Sequence, residues 1–73
     1  MGKSTTDLRS IAAAGGGMII DAENYSTTDL RSIASAASNK QAQIVITNAG
    51  KKSTTDLRSI AAAGNGCVVF DFS

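Results

Sequence analysis

The sequence predicts an α/β fold built from three helix–strand units, with a three-stranded parallel sheet and the helices on one face. Two observations carry this prediction. The nine residues STTDLRSIA occur three times without a mismatch, at residues 4–12, 26–34 and 53–61, and each copy is followed by a short apolar run. Internal repeats of roughly 20–50 residues are typical of stacked architectures. We therefore expect a single repeat domain over residues 1–73, with units at about 4–25, 26–52 and 53–73.

Each copy of the nine-residue repeat predicts the start of a helix. A serine at the first position can cap a backbone N–H, and the aspartate three residues later puts negative charge at the positive end of the helix dipole. Leucine, isoleucine and alanine then recur at helical spacing and form one apolar stripe. The predicted cap residues are Ser4, Asp7, Ser26, Asp29, Ser53 and Asp56.

Glycines predict where two of the helices end. Gly15 and Gly64 follow the first and third copies, and glycine adopts the left-handed conformation after a helix without strain. The second copy has no such glycine. We therefore expect the second helix to continue to Asn39, which can serve as a substitute C-cap.

The apolar runs predict short strands, and their alternation with helices through short loops predicts parallel pairing. Right-handed crossovers place the helices on the same face of such a sheet. Alignment of the copies predicts two columns of strand residues facing the helices, which are Met18, Ile44 and Cys67, and Ile20, Ile46 and Val69. The arrangement is a short solenoid in the broad sense of leucine-rich repeats.

The apolar residues expected on the other face of the sheet predict self-association. Strand side chains alternate, so Ile19, Val45, Val68, Phe70 and Phe72 are expected to point away from the helices. Continuous apolar runs are typical of strands covered on both faces, which three helices on one side cannot provide. We predict a homo-oligomer, most simply a two-fold dimer through this face. Edge-to-edge continuation of the sheet is the alternative geometry.

The composition points away from several function classes. The net charge is +1 and only three residues are aromatic, which favours neither nucleic acid nor a membrane surface as a partner. No apolar run is long enough to cross a membrane. There is no histidine, and the single cysteine, Cys67, lies in an apolar run, where we expect a buried thiol suited to a reducing cytoplasm. The sequence predicts no catalytic residue, cofactor or metal site.

An alternative function is the binding of a small phosphate-type anion by the helix N-termini, which direct backbone N–H groups outward. Gly2-Lys3 and Gly50-Lys51 precede two of these termini. Neither pair has the glycine five residues earlier that a phosphate-binding loop needs, so nucleotide hydrolysis is not expected. The aspartates of the predicted caps also compete for the positive helix ends.

The residues DLRSIAAAG at 7–15 and 56–64, and the closing strand that ends in Phe70-Asp71, carry a resemblance. The units resemble short helix–strand repeats of unassigned function in bacterial proteins, which share a DLRxIAxAG core and a final apolar strand ending in Phe and an acid. The resemblance covers nearly all of the chain. It implies a repeat architecture, and it brings no established activity that could be transferred to this chain. Recent duplication or consensus engineering would both produce three identical copies.

Overall fold

Three helices and three strands alternate along the chain in a computed structural model that describes residues 4–72. The helices are α1 (Thr5–Ala13), α2 (Thr27–Ser38) and α3 (Thr54–Gly64), and the strands are β1 (Met18–Asp21), β2 (Ile44–Thr47) and β3 (Val68–Phe70). Short 3-10 turns, Ala22–Asn24 and Ala49–Lys51, follow the first two strands. The predicted α/β class is confirmed.

Each helix begins at the predicted serine. The serine has extended backbone, and its Oγ accepts a hydrogen bond from the backbone N–H of the aspartate three residues later. This bond satisfies one of the N–H groups that have no partner inside a helix. The donor and acceptor pairs are Asp7 and Ser4 at 3.2 Å, Asp29 and Ser26 at 3.1 Å, and Asp56 and Ser53 at 3.1 Å.

Left-handed residues follow the three helices, and a glycine is the first of them only after α1. After α1, Gly15 has φ +104°, and the N–H of Gly16 donates to the carbonyl of Ile11 at 2.9 Å, as in a Schellman motif. After α2, Asn39 is the C-cap as predicted, but Gln41 supplies the left-handed conformation with φ 58°. Helix α3 includes Gly64, and Asn65 takes that role with φ 52°.

The three strands form one parallel sheet in the order β1-β2-β3. Three rows of residues cross it. One row is Met18, Ile44 and Val68; the next is Ile19, Val45 and Val69; the third is Ile20, Ile46 and Phe70. The parallel pairing is confirmed, and β2 is the central strand.

The predicted position of β3 is wrong by one residue. We expected Cys67 beside Ile44 and Val69 beside Ile46, but the partners are Val68 and Phe70. The strand also ends at Phe70, whereas the apolar run predicted that it continues to about Phe72. A shift of one residue exchanges the two faces of a strand. The observed register packs Val68 and Phe70 against the core, so the larger phenyl ring gains more burial than valine would.

The core is centred on the second unit. Helix α2 contacts both α1 and α3, and β2 pairs with both other strands. A single cluster of buried apolar residues joins helices and strands, so the helices cover the side of the sheet that carries Ile20 and Ile46. The largest fully buried side chains are Leu30, Ile33, Ile44, Ile46 and Ile60. The first and third units are covered on fewer sides.

Candidate functional site

An apolar row crosses the sheet on the face opposite the core. Ile19, Val45 and Val69 are in register on the three strands, and alternation directs their side chains away from the buried residues on either side. Ile19 is 74% exposed and Val69 is 43% exposed, whereas Val45 is half-buried between them. Neighbouring strands lie about 4.8 Å apart, so the three side chains form one continuous strip. We call this strip the helix-free row.

The helix-free row differs in part from the predicted interface. Ile19 and Val45 lie on the expected face. Val68 and Phe70 do not, because the register of β3 turns them toward the helices. Val69, which the repeat alignment predicts to face the helices, takes their place. The repeat alignment could not reveal this exchange, since it assumes that equivalent residues in each unit begin each strand.

Phe72 lies beyond the end of β3 and beside α3. Its ring centroid is 6.0 Å from that of Phe70, with the ring planes tilted by 34°. Both rings line a groove of about 440 Å³ together with Leu57 and Ala61 of α3. Phe72 is therefore an exposed apolar residue, as predicted, but it belongs to the outer side of the third unit and not to the helix-free row.

A polar cluster stands at the carboxyl ends of β1 and β2. The Asp21 carboxylate accepts a 2.8 Å hydrogen bond from the N–H of Glu23, and this bond, with further help from the Asn48 side chain and Lys51, lowers the pKa of Asp21 below its usual 3.8. Lys51 Nζ lies 2.6 Å from a carboxylate oxygen of Glu23, which raises the pKa of Lys51. These exposed groups join the 3-10 turns of adjacent units and form a polar border to the helix-free row.

The predicted caps act as helix starts. In each copy the serine hydroxyl already accepts one of the N–H groups that an anion would use. Gly2 and Lys3 lie outside the described residues. Lys52, near the start of α3, donates from Nζ to the carbonyl oxygen of Tyr25 at 3.2 Å. Anion binding at the helix N-termini therefore stays a prediction.

The exposed side of the helices carries a second groove, of about 730 Å³. Arginine and serine side chains line it, among them Arg9, Arg31, Ser32 and Ser35. The groove is shallow and polar, and it runs along the surface between α1 and α2. The helices place these arginines side by side because each occupies the same position in its copy of the repeat.

Cys67 is a buried free thiol, as the sequence predicted. Its Sγ donates to Oε1 of Gln41 at 3.7 Å, and this contact joins the loop before β3 to the left-handed residue after α2. Gln41 also donates from Nε2 to the carbonyl oxygen of Ser38 at 3.0 Å. The thiol thus has a structural contact in the molecule.

Residues 4–72 contain no group of three or more His, Cys, Asp or Glu side chains placed to hold a metal ion. No helix in this part of the chain has the length and apolar character needed to cross a membrane. Comparisons with protein family models, with curated protein sequences and with solved structures find no match for this chain.

Proposed function

We propose that this chain is a non-enzymatic structural module, a short solenoid-like repeat that associates with a second copy of itself through the helix-free row. The observation that carries the proposal is the 74% exposure of Ile19 at one end of an unbroken apolar strip. Parallel sheets are normally covered on both faces. In this molecule the helices cover one face, and a second copy supplies the missing layer.

The row is suited to pairing with itself. A two-fold axis that passes near Val45 and runs along the strands sets Val45 against its own copy. The same axis places Ile19 of one protomer over Val69 of the other, because these residues flank Val45 on either side. Two twisted sheets pack face to face with their strands within about 30° of each other. A net charge of +1 produces little repulsion between two copies.

The chain also has a physical need for added burial. It has 73 residues, and twelve of its apolar residues are alanine, which contributes little area to a core. Domains of this size gain stability from oligomerisation when they lack disulfides or a structural metal. We also propose a reducing compartment, the cytoplasm, as its location, in keeping with the free Cys67 thiol.

Substitution in the middle of the row tests this proposal. Val45→Lys places a charge on the central strand, away from both sheet edges. We expect it to abolish pairing through the helix-free row and so to lower the average mass below that of the parent, while far-UV circular dichroism shows retained helix. Ser35→Lys adds the same charge on the exposed side of α2 and should leave the mass in solution unchanged. A Val45→Lys protein with the same sedimentation behaviour as the parent would refute the helix-free row as the interface.

A further inference from the structure

The two ends of the molecule expose surfaces that the middle unit buries. The three copies of the repeat place the same isoleucine at residues 11, 33 and 60. Ile33 and Ile60 are completely buried, whereas Ile11 is 41% exposed. The nine-residue repeat that contains each isoleucine is identical in the three units, so the difference comes from position. This side of each helix faces the preceding unit, and the first unit has none in the described chain.

The opposite side of each helix shows the reverse pattern. The repeat places leucine at residues 8, 30 and 57, of which Leu8 and Leu30 are buried and Leu57 is half-exposed. The alanine four residues later behaves in the same way: Ala12 and Ala34 are fully buried, and Ala61 is not. This side therefore faces the following unit. The third unit leaves it open, next to Phe70 and Phe72.

The sheet has matching open edges. In a parallel sheet the backbone groups of alternate residues point to opposite neighbours. Met18 donates to the carbonyl of Gln43 on the β2 side, and the carbonyl of Cys67 accepts from Ile44. The N–H and C=O groups of Ile19 on β1, and of Val68 and Phe70 on β3, therefore point outward. Continuation of the observed rows would set Met18 of a second copy beside Val68, and its Ile20 beside Phe70.

We propose that these two ends bind each other between copies, so that the first unit of one chain docks on the third unit of the next. The contact repeats the two junctions that already exist inside the molecule. Ile11 of the second copy takes the position that Ile33 and Ile60 hold at the internal junctions, against Leu57 and Ala61. The sheet then continues across the boundary, with β1 of the second copy paired to β3.

This inference deepens the proposed self-association but uses a different surface from the helix-free row. A two-fold contact uses the same patch on both partners, whereas this contact joins two different patches. Such a head-to-tail contact leaves one free end on each side, so it produces an open chain of protomers or a closed ring. Repeat proteins normally prevent this growth with polar terminal units. Here both ends leave apolar side chains open, Ile11 at one end and Leu57 and Phe72 at the other, although polar residues such as Arg58 lie beside them.

Complementary end variants test the proposal on a Val45→Lys background, in which the helix-free row is disabled. With both ends intact, this protein should form species larger than a dimer, whose mass rises with concentration. Adding Ile11→Glu blocks the first-unit end, and adding Ala61→Glu blocks the third-unit end, so each should sediment as a monomer. An equal mixture of the two should form a heterodimer of one copy each, because one intact junction remains between them. Native mass spectrometry identifies that species.

Several outcomes would overturn the head-to-tail contact: a monomeric Val45→Lys protein, end variants that still elongate, or a mixture that stays monomeric. If the parent still dimerises while Val45→Lys is monomeric, the helix-free row survives and only the head-to-tail contact fails. If Val45→Lys leaves the elongation of the parent unchanged and the end variants abolish it, the head-to-tail contact stands and the helix-free row fails as an interface. Ser35→Glu on the same background is the control for added charge. If circular dichroism shows that Ala61→Glu does not fold, Phe72→Glu, at an exposed position beside Ala61, replaces it.

Discussion

At the scale of single residues, the repeat encodes its helix starts in two side chains. The serine accepts the backbone N–H of the aspartate, and the carboxylate sits in the first turn where the helix dipole is positive. All three copies adopt the same geometry within 0.1 Å in the Oγ to N distance, which runs from 3.1 to 3.2 Å. The caps follow from local chemistry alone, so the sequence was sufficient to predict them.

The cap of α2 predicts a measurable loss of stability. Ser26→Ala removes the acceptor for the Asp29 N–H and should lower the free energy of unfolding by about 1 kcal/mol. Ser35→Ala, in the middle of the same exposed helix surface, is the control and should be neutral or slightly stabilising, because alanine is the better helix former. Urea denaturation measures both. An equal effect from the two substitutions would show that Ser26 contributes nothing as a cap.

At the scale of elements, the sequence predicted the number, order and parallel pairing of the helices and strands. It did not predict the register of β3. The identical copies suggested equivalent loops, but α3 extends through Gly64 while α1 ends at Ala13, and the chain then enters the sheet after a shorter loop. The gain from burying Phe70 decides between the two registers, and that gain depends on tertiary packing. The left-handed conformation of Gln41 was also beyond local prediction, because glutamine has no special preference for it.

In the observed register of β3, the adjacent residues Val68 and Val69 differ in burial. Val68→Ala removes two methyl groups that pack on the core, and it should cost about 1 kcal/mol, given ~0.8 kcal/mol per fully buried methylene. Val69→Ala alters an exposed side chain and should change stability by less than about 0.5 kcal/mol in the dissociated protein. Denaturation at low protein concentration compares them. A larger loss of stability for Val69→Ala than for Val68→Ala would support the register that the repeat alignment predicted.

At the scale of the whole molecule, the neighbours of each unit decide how deeply an identical residue is buried. The protein measures 28 × 27 × 19 Å, and four of its five largest fully buried side chains belong to the second unit. The outer units use the same sequence to form half-covered surfaces. Sequence alone could predict that some apolar surface stays open. It placed Ile19 and Val45 on the helix-free face of the sheet, but it could not place Val69 there or reveal the open helix sides at the two ends, because both depend on tertiary packing.

The same Ile→Ala substitution at two equivalent positions measures how the contribution of this residue to stability depends on the neighbours of its unit. Ile33→Ala leaves a cavity in the centre of the molecule and should cost about 2–5 kcal/mol, enough to unfold much of a small domain. Ile11→Ala makes the same chemical change at an exposed site and should cost less than about 1 kcal/mol in the dissociated protein. Thermal unfolding at low concentration gives the comparison. Equal losses would contradict the unequal burial of the two units.

The solution mass of the unmodified protein, measured by sedimentation equilibrium across a range of concentrations, tests the central claim of self-association most directly. One chain has a mass of 7.4 kDa. We expect the average mass at micromolar concentration to be at least twice that value and to fall toward it on dilution, with a melting temperature that rises with protein concentration. A mass of 7.4 kDa at every concentration, with a constant melting temperature, would contradict both proposed contacts.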